Sequence, residues 1–343
     1  MFRDKLTILS AVTAFALVIS NAACGDKDSD TGDSAGDNAS AGDGDAGDGD
    51  AGDGDAGDGD AGDGDAMDCG PTHVSEGTLA DGESCATNGE CASGLCLSFS
   101  DVPADPDAVC IAYATDCATR VTGTLRNLVD GTPVADATVG VVGAIGAATN
   151  PTSAARIVES TTDADGRYDM TTPGGDDRPM EVIALTALAE GSDIFLSSTG
   201  LDSAGEGNLY GPGVSLHDIW AVTAADVTNF SDLLALDASF PADKLPLGAQ
   251  GGVIGLLRDG ATGDPVAGAT IQSASGDSST AVIRYLNDAE DAFDGTVTGT
   301  SGLFVIVAPG LGEGFEAVVN GEVVADQPAG SSAGAVFIMA LTM

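Results

Sequence analysis

A block of this sequence is used twice, and that constrains everything after residue 118. Gly123, Leu125, Arg126, Gly131, Pro133, Val134, Ala135 and Ala137 recur as Gly255, Leu257, Arg258, Gly263, Pro265, Val266, Ala267 and Ala269, each 132 residues later, and Val139 meets Ile271 at the same offset. One module is therefore present in two copies. Each copy opens with an alternating strand, turns at Gly-x-Pro and enters a second strand. Gly131 and Gly263 permit positive φ, and Pro133 and Pro265 belong at strand starts or edges. Further on, the first copy reads Thr161-Thr162-Asp163-Ala164-Asp165-Gly166-Arg167-Tyr168, with Asp-Gly as a tight turn. The second reads Gly299-Thr300-Ser301-Gly302-Leu303-Phe304 at the matching point. Tyr168 and Phe304 each stand two residues after the turn glycine, so each is expected to plug the core of its own module.

These motifs, a Gly-x-Val-like strand, Thr-Pro-Val-Ala-Asp-Ala and Thr-Asp-Ala-Asp-Gly-Arg-Tyr, resemble the carboxypeptidase regulatory-like domain. The resemblance spans residues 118–198 and, with an insertion around Ala281 to Thr296, residues 250–343. It implies two transthyretin-like Greek-key β-sandwiches without catalytic activity. Aromatics make up 4% of the chain while glycine alone numbers 49, a composition that suits short strands and turns. The expected fold class is mainly β: two Greek-key β-sandwich domains preceded by a small disulfide-rich module and a disordered acidic tether. Residues 199–249 read as a connector whose segment Ala221 to Leu236 predicts a helix. There Thr223 and Asp226 form a capping pair, Val227, Phe230, Leu233 and Leu234 share one face, and Trp220 precedes them.

The N-terminal end points to export. Arg3 and Lys5 precede an apolar run from Leu6 to Ile19 and the small residues Ala22 and Ala23, the layout of a signal peptide over residues 1–23. Ala22, Ala23 and Cys24 resemble a bacterial lipoprotein signal, which implies lipidation at Cys24, a membrane partner through that lipid, and an outer-membrane or cell-surface location. Cysteine parity agrees, because six of the seven cysteines lie between residues 69 and 117 and only Cys24 is left over. Residues 24–68 contain five copies of Gly-Asp-Gly-Asp-Ala from Gly42 to Ala66, and with almost no apolar side chains they predict a disordered tether. A neutral Gly-rich coil of that length spans roughly 35–40 Å, and aspartate repulsion extends it. Its carboxylates imply at most weak Ca2+ association, since the repeat lacks the closing Glu of a calcium loop.

Cys69, Cys85, Cys91, Cys96, Cys110 and Cys117 define a module over residues 69–117 in which disulfides replace a missing core. Gly82-Glu83-Ser84-Cys85, Asn88-Gly89-Glu90-Cys91 and Ser93-Gly94-Leu95-Cys96 resemble the cysteine-rich repeats of Dickkopf-like modules. Six cysteines allow fifteen pairings, and the sequence alone does not choose among them. The spacing lacks paired Cys-x-x-Cys knuckles, which speaks against zinc.

The formal net charge of −43 divides into +1 for residues 1–24, −15 for residues 25–68 and −29 for the rest. The folded part is acidic in its own right, which excludes nucleic acid as a partner. The two histidines, His73 and His217, fall in different modules, and no Gly-x-Ser-x-Gly elbow surrounds a serine, so His217 reads as a structural hydrogen-bonding residue. Carboxylate pairs such as Glu290 and Asp291 are too common in this chain to signal acid–base catalysis. No catalytic residue, metal site or cofactor is expected. The sequence supports a cell-surface lipoprotein presenting β-sandwich modules for adhesion, scaffolding or binding of a protein or carbohydrate ligand. A surface hydrolase with its site in the connector or the insertion, and a calcium-dependent adhesin, are the alternatives.

Overall fold

The computed structural model describes residues 75–112, 118–174, 185–201 and 213–343, all within the unit formed by residues 60–343. Cys24, the Asp/Gly tether, Cys69 and Cys117 lie outside the described residues. The cysteine module contributes a short antiparallel pair, β1 (Cys96–Leu97) and β2 (Val109–Cys110). The first copy supplies β3 (Thr119–Asn127), β4 (Thr138–Gly143), helix α1 (Ala144–Thr149), β5 (Arg156–Thr161), β6 (Arg167–Thr171), β7 (Leu185–Glu190), β8 (Ile194–Phe195), β9 (Ser197–Leu201), β10 (Gly213–Leu216) and β11 (Ile219–Thr223). Helix α2 (Ala224–Ala235) follows, and the second copy supplies β12 (Val253–Arg258), β13 (Thr270–Ser273), β14 (Val282–Tyr285), β15 (Leu303–Val307), β16 (Glu313–Val319), β17 (Glu322–Ala329) and β18 (Val336–Thr342). The chain is mainly β, as its composition and turn chemistry predict.

The repeat is legible as a repeated hydrogen-bond network. The amides of Val134 and Val266 donate to the carbonyls of Leu125 and Leu257, at 2.9 and 2.8 Å. Those of Gly131 and Gly263 donate to Asn127 and Asp259, both at 2.8 Å. The hydroxyls of Thr162 and Thr298 accept from the amides of Ala137 and Ala269, just before β4 and β13, and donate to the carbonyls of Val134 and Val266. Tyr168 lies directly across the strand pair from Gly123, and Phe304 across from Gly255. A Cβ on Gly255 would lie 2.0 Å from the Phe304 ring, and one on Gly123 would lie 1.8 Å from the His217 carbonyl oxygen and 2.6 Å from the Tyr168 hydroxyl that donates to it. The glycine of the repeat is thus the seat of the buried aromatic, in both copies.

The two sandwiches are not separate bodies. An eight-stranded sheet runs β14-β15-β12-β18-β9-β7-β4-β5, and its halves are joined where β18 and β9 pair in parallel, Val336 with Ser197 and Ile338 with Thr199. One face of its first half is covered by the five-stranded sheet built on β10-β3-β11-β8 with β6 beside β3. Val121, Leu125 and Tyr168 there pack on Val139, Val141 and Ala187. The same face of the second half is covered by α2, whose Val227, Phe230 and Leu234 pack with Trp220 on Ile254, Val305 and Ile338. On the opposite face the three-stranded sheet β13-β16-β17 covers the second half, closing over Phe304, Phe315 and Met339. The strands β12, β15 and β18 are accordingly apolar on both faces, as expected of strands inside a layered fold.

Thr223 caps α2 as predicted: its hydroxyl accepts from the Asp226 amide at 3.0 Å, and the Asp226 carboxylate returns to Thr223. The segment around it differs from the expected connector. β10 and β11 keep one register against β3, Ser215 opposite Val121 and Ile219 opposite Leu125, and together form the closing strand of the first sandwich. They take the place that β18 takes beside β12 in the second copy. The insertion Ala281 to Thr296 is also structural, since Leu286 and Phe293 enter the core beside α2 and Phe293 meets Phe230 edge-on at 5.7 Å.

Candidate functional site

The cysteine module is closed by Cys85–Cys96 and Cys91–Cys110. Cys85, Cys91 and Cys110 cluster closely enough to suggest metal ligation, but all three sulfurs are held in these disulfides. The module leans on the first sandwich through its loop after β1. Thr122 and Thr124 hydroxyls donate to the carbonyls of Ser98 and Phe99, and Arg167 stacks over the Phe99 ring at 5.4 Å.

His217 sits where β10 gives way to β11. Its Nε2 is 2.6 Å from the Ser215 hydroxyl, and its carbonyl accepts the Tyr168 hydroxyl. Burial holds the imidazole neutral, with a pKa lowered to about 4. The His217 amide donates to the Thr122 carbonyl at 2.9 Å, continuing the pairing with β3.

At the same break, Asp218 turns into the junction between the copies. Arg126 and Arg258, equivalent positions of the repeat, both act on it: Arg258 Nη1 is 3.9 Å from Asp218 Oδ2, and both guanidiniums favour its charged form. Burial pushes the Asp218 carboxyl up, and the two arginines together with amides of the cysteine module oppose that rise. The Val102 amide donates to it at 3.4 Å, and Arg258 lies over the Trp220 ring at 5.1 Å. Cysteine module, first copy and second copy therefore meet at one carboxylate. The cluster is sealed, with the side chains of Arg258 and Asp218 only 6% and 2% exposed. Its geometry is that of a pin and leaves no room for a substrate.

The accessible feature of the junction is a trough of about 300 Å3 on the opposite face of the eight-stranded sheet. Its floor is the seam itself: Thr186 of β7, Ser198 and Gly200 of β9 and Phe337 of β18, which share one face by register. One wall is α1, with Ala144, Ile145 and Ala148; the other is the free edge of β17 and the turn after it. Ile145 and Leu311 stand at its rim, 78% and 73% exposed. No lining residue carries a charge. Gln327 points inward from β17 with the same parity as Ala325 and Ala329, and its Oε1 is buried without a hydrogen-bond partner. That alternation in β17 is the sequence signal that could have marked Gln327 as an interior group. A second hollow of about 410 Å3 lies between the cysteine module and the first sandwich, and its charged residues Arg120 and Asp169 are paired with each other.

No protein-family model matches the sequence, and no curated protein matches it. Among solved structures, the chain is similar over 33% of its length to catechol 1,2-dioxygenase from an Acinetobacter species, with 14% identity, a TM-score of 0.22 and 55% of that chain covered. The chain thus spans just over half the length of that enzyme. A Streptomyces dioxygenase domain gives 21% identity and a TM-score of 0.23 over 32% of this chain and 81% of the other. The shaft pilin of Lactobacillus rhamnosus GG gives 10% identity and a TM-score of 0.19 over 66% of this chain and 97% of the other. Among the described residues no helix is long and apolar enough to cross a membrane.

Proposed function

We propose that this chain is an exported lipoprotein, anchored at the cell surface through Cys24, whose two sandwiches are of the carboxypeptidase regulatory-like kind and bind a ligand without transforming it. The observation that carries the reading is a division of labour at the junction. The Ser215–His217 contact is part-buried where β10 gives way to β11, whereas the open trough is lined by no titratable group. The accessible site can hold a molecule but has nothing with which to move a proton. The −15 tether between Cys24 and the modules suits a spacer that holds them off an anionic surface.

Labelled palmitate supplied to the producing cells should enter the protein, and Cys24→Ala should abolish labelling and move the protein into the medium. Unchanged membrane partition of that variant overturns the anchor. A His217-dependent turnover of peptides, esters or glycans by the released chain overturns the non-catalytic reading.

A further inference from the structure

We infer that the outer face of the first sandwich, Thr122, Thr124 and Arg126 of β3 with Arg167 of β6, is a recognition surface for an extended acidic peptide carrying an aromatic ring, and that residues 98–102 of the cysteine module occupy it as a displaceable internal ligand. This deepens the binding role proposed above at a place other than the trough, and it is independent of the anchor. The repeat supplies the first argument, because it sets the same face of the same strand pair under two different covers. In the first copy the outward positions are Thr122 opposite Asp169 and Thr124 opposite Arg167; in the second they are Ile254 opposite Val305 and Leu256 opposite Leu303. Helix α2 packs on the apolar version and cannot leave without exposing it to water. The cysteine module lies on the polar version, which water can solvate once the cover lifts. Permanent contacts resemble a core cut in half, whereas separable ones stay polar.

The second argument is the manner of holding. Three alternate side chains of β3 reach the segment in order: Thr122 Oγ1 donates to the Ser98 carbonyl at 2.6 Å, Thr124 Oγ1 to the Phe99 carbonyl, and Arg126 Nη2 to the Ser100 hydroxyl at 3.1 Å. The Val102 amide then donates to Asp218 at 3.4 Å. Main-chain carbonyls are common to every peptide, so selectivity falls to the ring and the charge. Arg167 lies over the Phe99 ring at 5.4 Å and 3.8 Å from the Asp105 carboxylate of the same module. When the cover lifts, Arg167 loses both and Arg126 loses Ser100, while Asp169 keeps its partner Arg120. Two guanidiniums on a face of threonines match a peptide that brings a ring and carboxylates. The negative charge on the rest of the chain is screened beyond about 8 Å at physiological salt, so these two cations decide.

The test uses the full mature chain carrying Cys24→Ala. Relative to its intrinsic rate, the Val102 amide should exchange hydrogen roughly a hundredfold faster than the Leu125 amide, which is held by Gly166 inside the sandwich, because the cover lifts without unfolding the sheet beneath. Phe99→Ala should raise Val102 exchange a further three- to tenfold or so by removing the ring under Arg167. The probe is a labelled peptide Leu-Ser-Phe-Asp-Asp-Val-Pro, residues 97–103 with aspartate in place of the serine that meets Arg126. It should bind one-to-one, and Phe99→Ala should tighten binding by the same factor by which it speeds exchange, since both report the open fraction. An asparagine version of the probe should bind roughly threefold or more weakly, and Arg126→Gln should remove that difference. The comparison is made within one protein, so any change in the hold of the cover cancels. Should Phe99→Ala unfold the cysteine module, Phe99→Leu keeps an apolar side chain and loses only the ring. Equal protection of Val102 and Leu125, no saturable binding, affinity indifferent to Phe99, or an aspartate preference that survives Arg126→Gln would each overturn the proposal. No arm depends on the membrane or on turnover, so failure here leaves the anchored, non-catalytic reading intact, and failure of that reading leaves this result intact.

Discussion

At the scale of single residues, His217 shows how burial becomes a pH response. In the folded chain the imidazole is desolvated beside Ser215 and its pKa falls to about 4, against 6.5 in an open chain. Above about pH 6.5 both states hold it neutral and the fold is unpenalised. As pH drops below that value the unfolded chain takes up a proton that the folded chain refuses, so stability falls until the folded pKa is reached. Between pH 7 and pH 5 the loss amounts to about 2 kcal/mol. Urea denaturation across that interval should therefore show a falling midpoint, and His217→Gln, which keeps a hydrogen-bonding group near Ser215, should flatten the slope by about that amount. Identical slopes for the two proteins would mean that the imidazole titrates freely in the fold.

At the scale of elements, the two copies part company at their third strand. β5 pairs with β4, Val139 opposite Ser160, so it extends the second sheet of its sandwich, whereas β14 pairs with β15 in the other sheet. The outer edge of β13 is left without a strand at Ile271, the counterpart of Val139. The hydroxyl of Tyr285, reaching across from β14, fills that gap: it donates to the Ile271 carbonyl at 3.0 Å and accepts from the Ile271 amide at 2.8 Å. Tyr285→Phe would leave a buried N–H and a buried C=O unpaired, and the expected cost is about 1–3 kcal/mol, read as a lower denaturation midpoint with an unchanged m-value. A change within 0.5 kcal/mol would show that water replaces the hydroxyl there. Local chemistry of the kind that made the turns, the capping box of α2 and the paired aromatics legible in the sequence does not reveal this switch. Val282 to Tyr285 reads as a strand in either sheet, because partner choice is set by tertiary packing. The strand pair β10 and β11 was hidden for a related reason: it lies outside the matched block of the repeat, and the break at His217 and Asp218 interrupts its alternation.

At the scale of the whole molecule, the property least visible in the sequence is the fusion of the copies, since the β9–β18 pairing joins parallel strands separated by more than one hundred residues and leaves no local pattern. Arg126 and Arg258 could be matched as repeat equivalents, but their convergence on Asp218 exists only once the copies are packed. Gln327 and Gly200 likewise come together only at the seam. The fusion has a thermodynamic consequence. One core cluster draws on β11 of the first copy, α2, and β12, β15 and β18 of the second, so neither sandwich can lose its packing without uncovering the other. Unfolding of the described body should be a single cooperative transition, with calorimetric and van't Hoff enthalpies in agreement, despite a length at which two modules often melt independently. Truncation before Val253 should not yield a stable first sandwich, because Val227, Phe230 and Leu234 on α2 and the β9 edge would face water together. Two resolved transitions, or a truncated first copy that melts at the temperature of the whole, would show that the shared sheet joins the copies without coupling their stability.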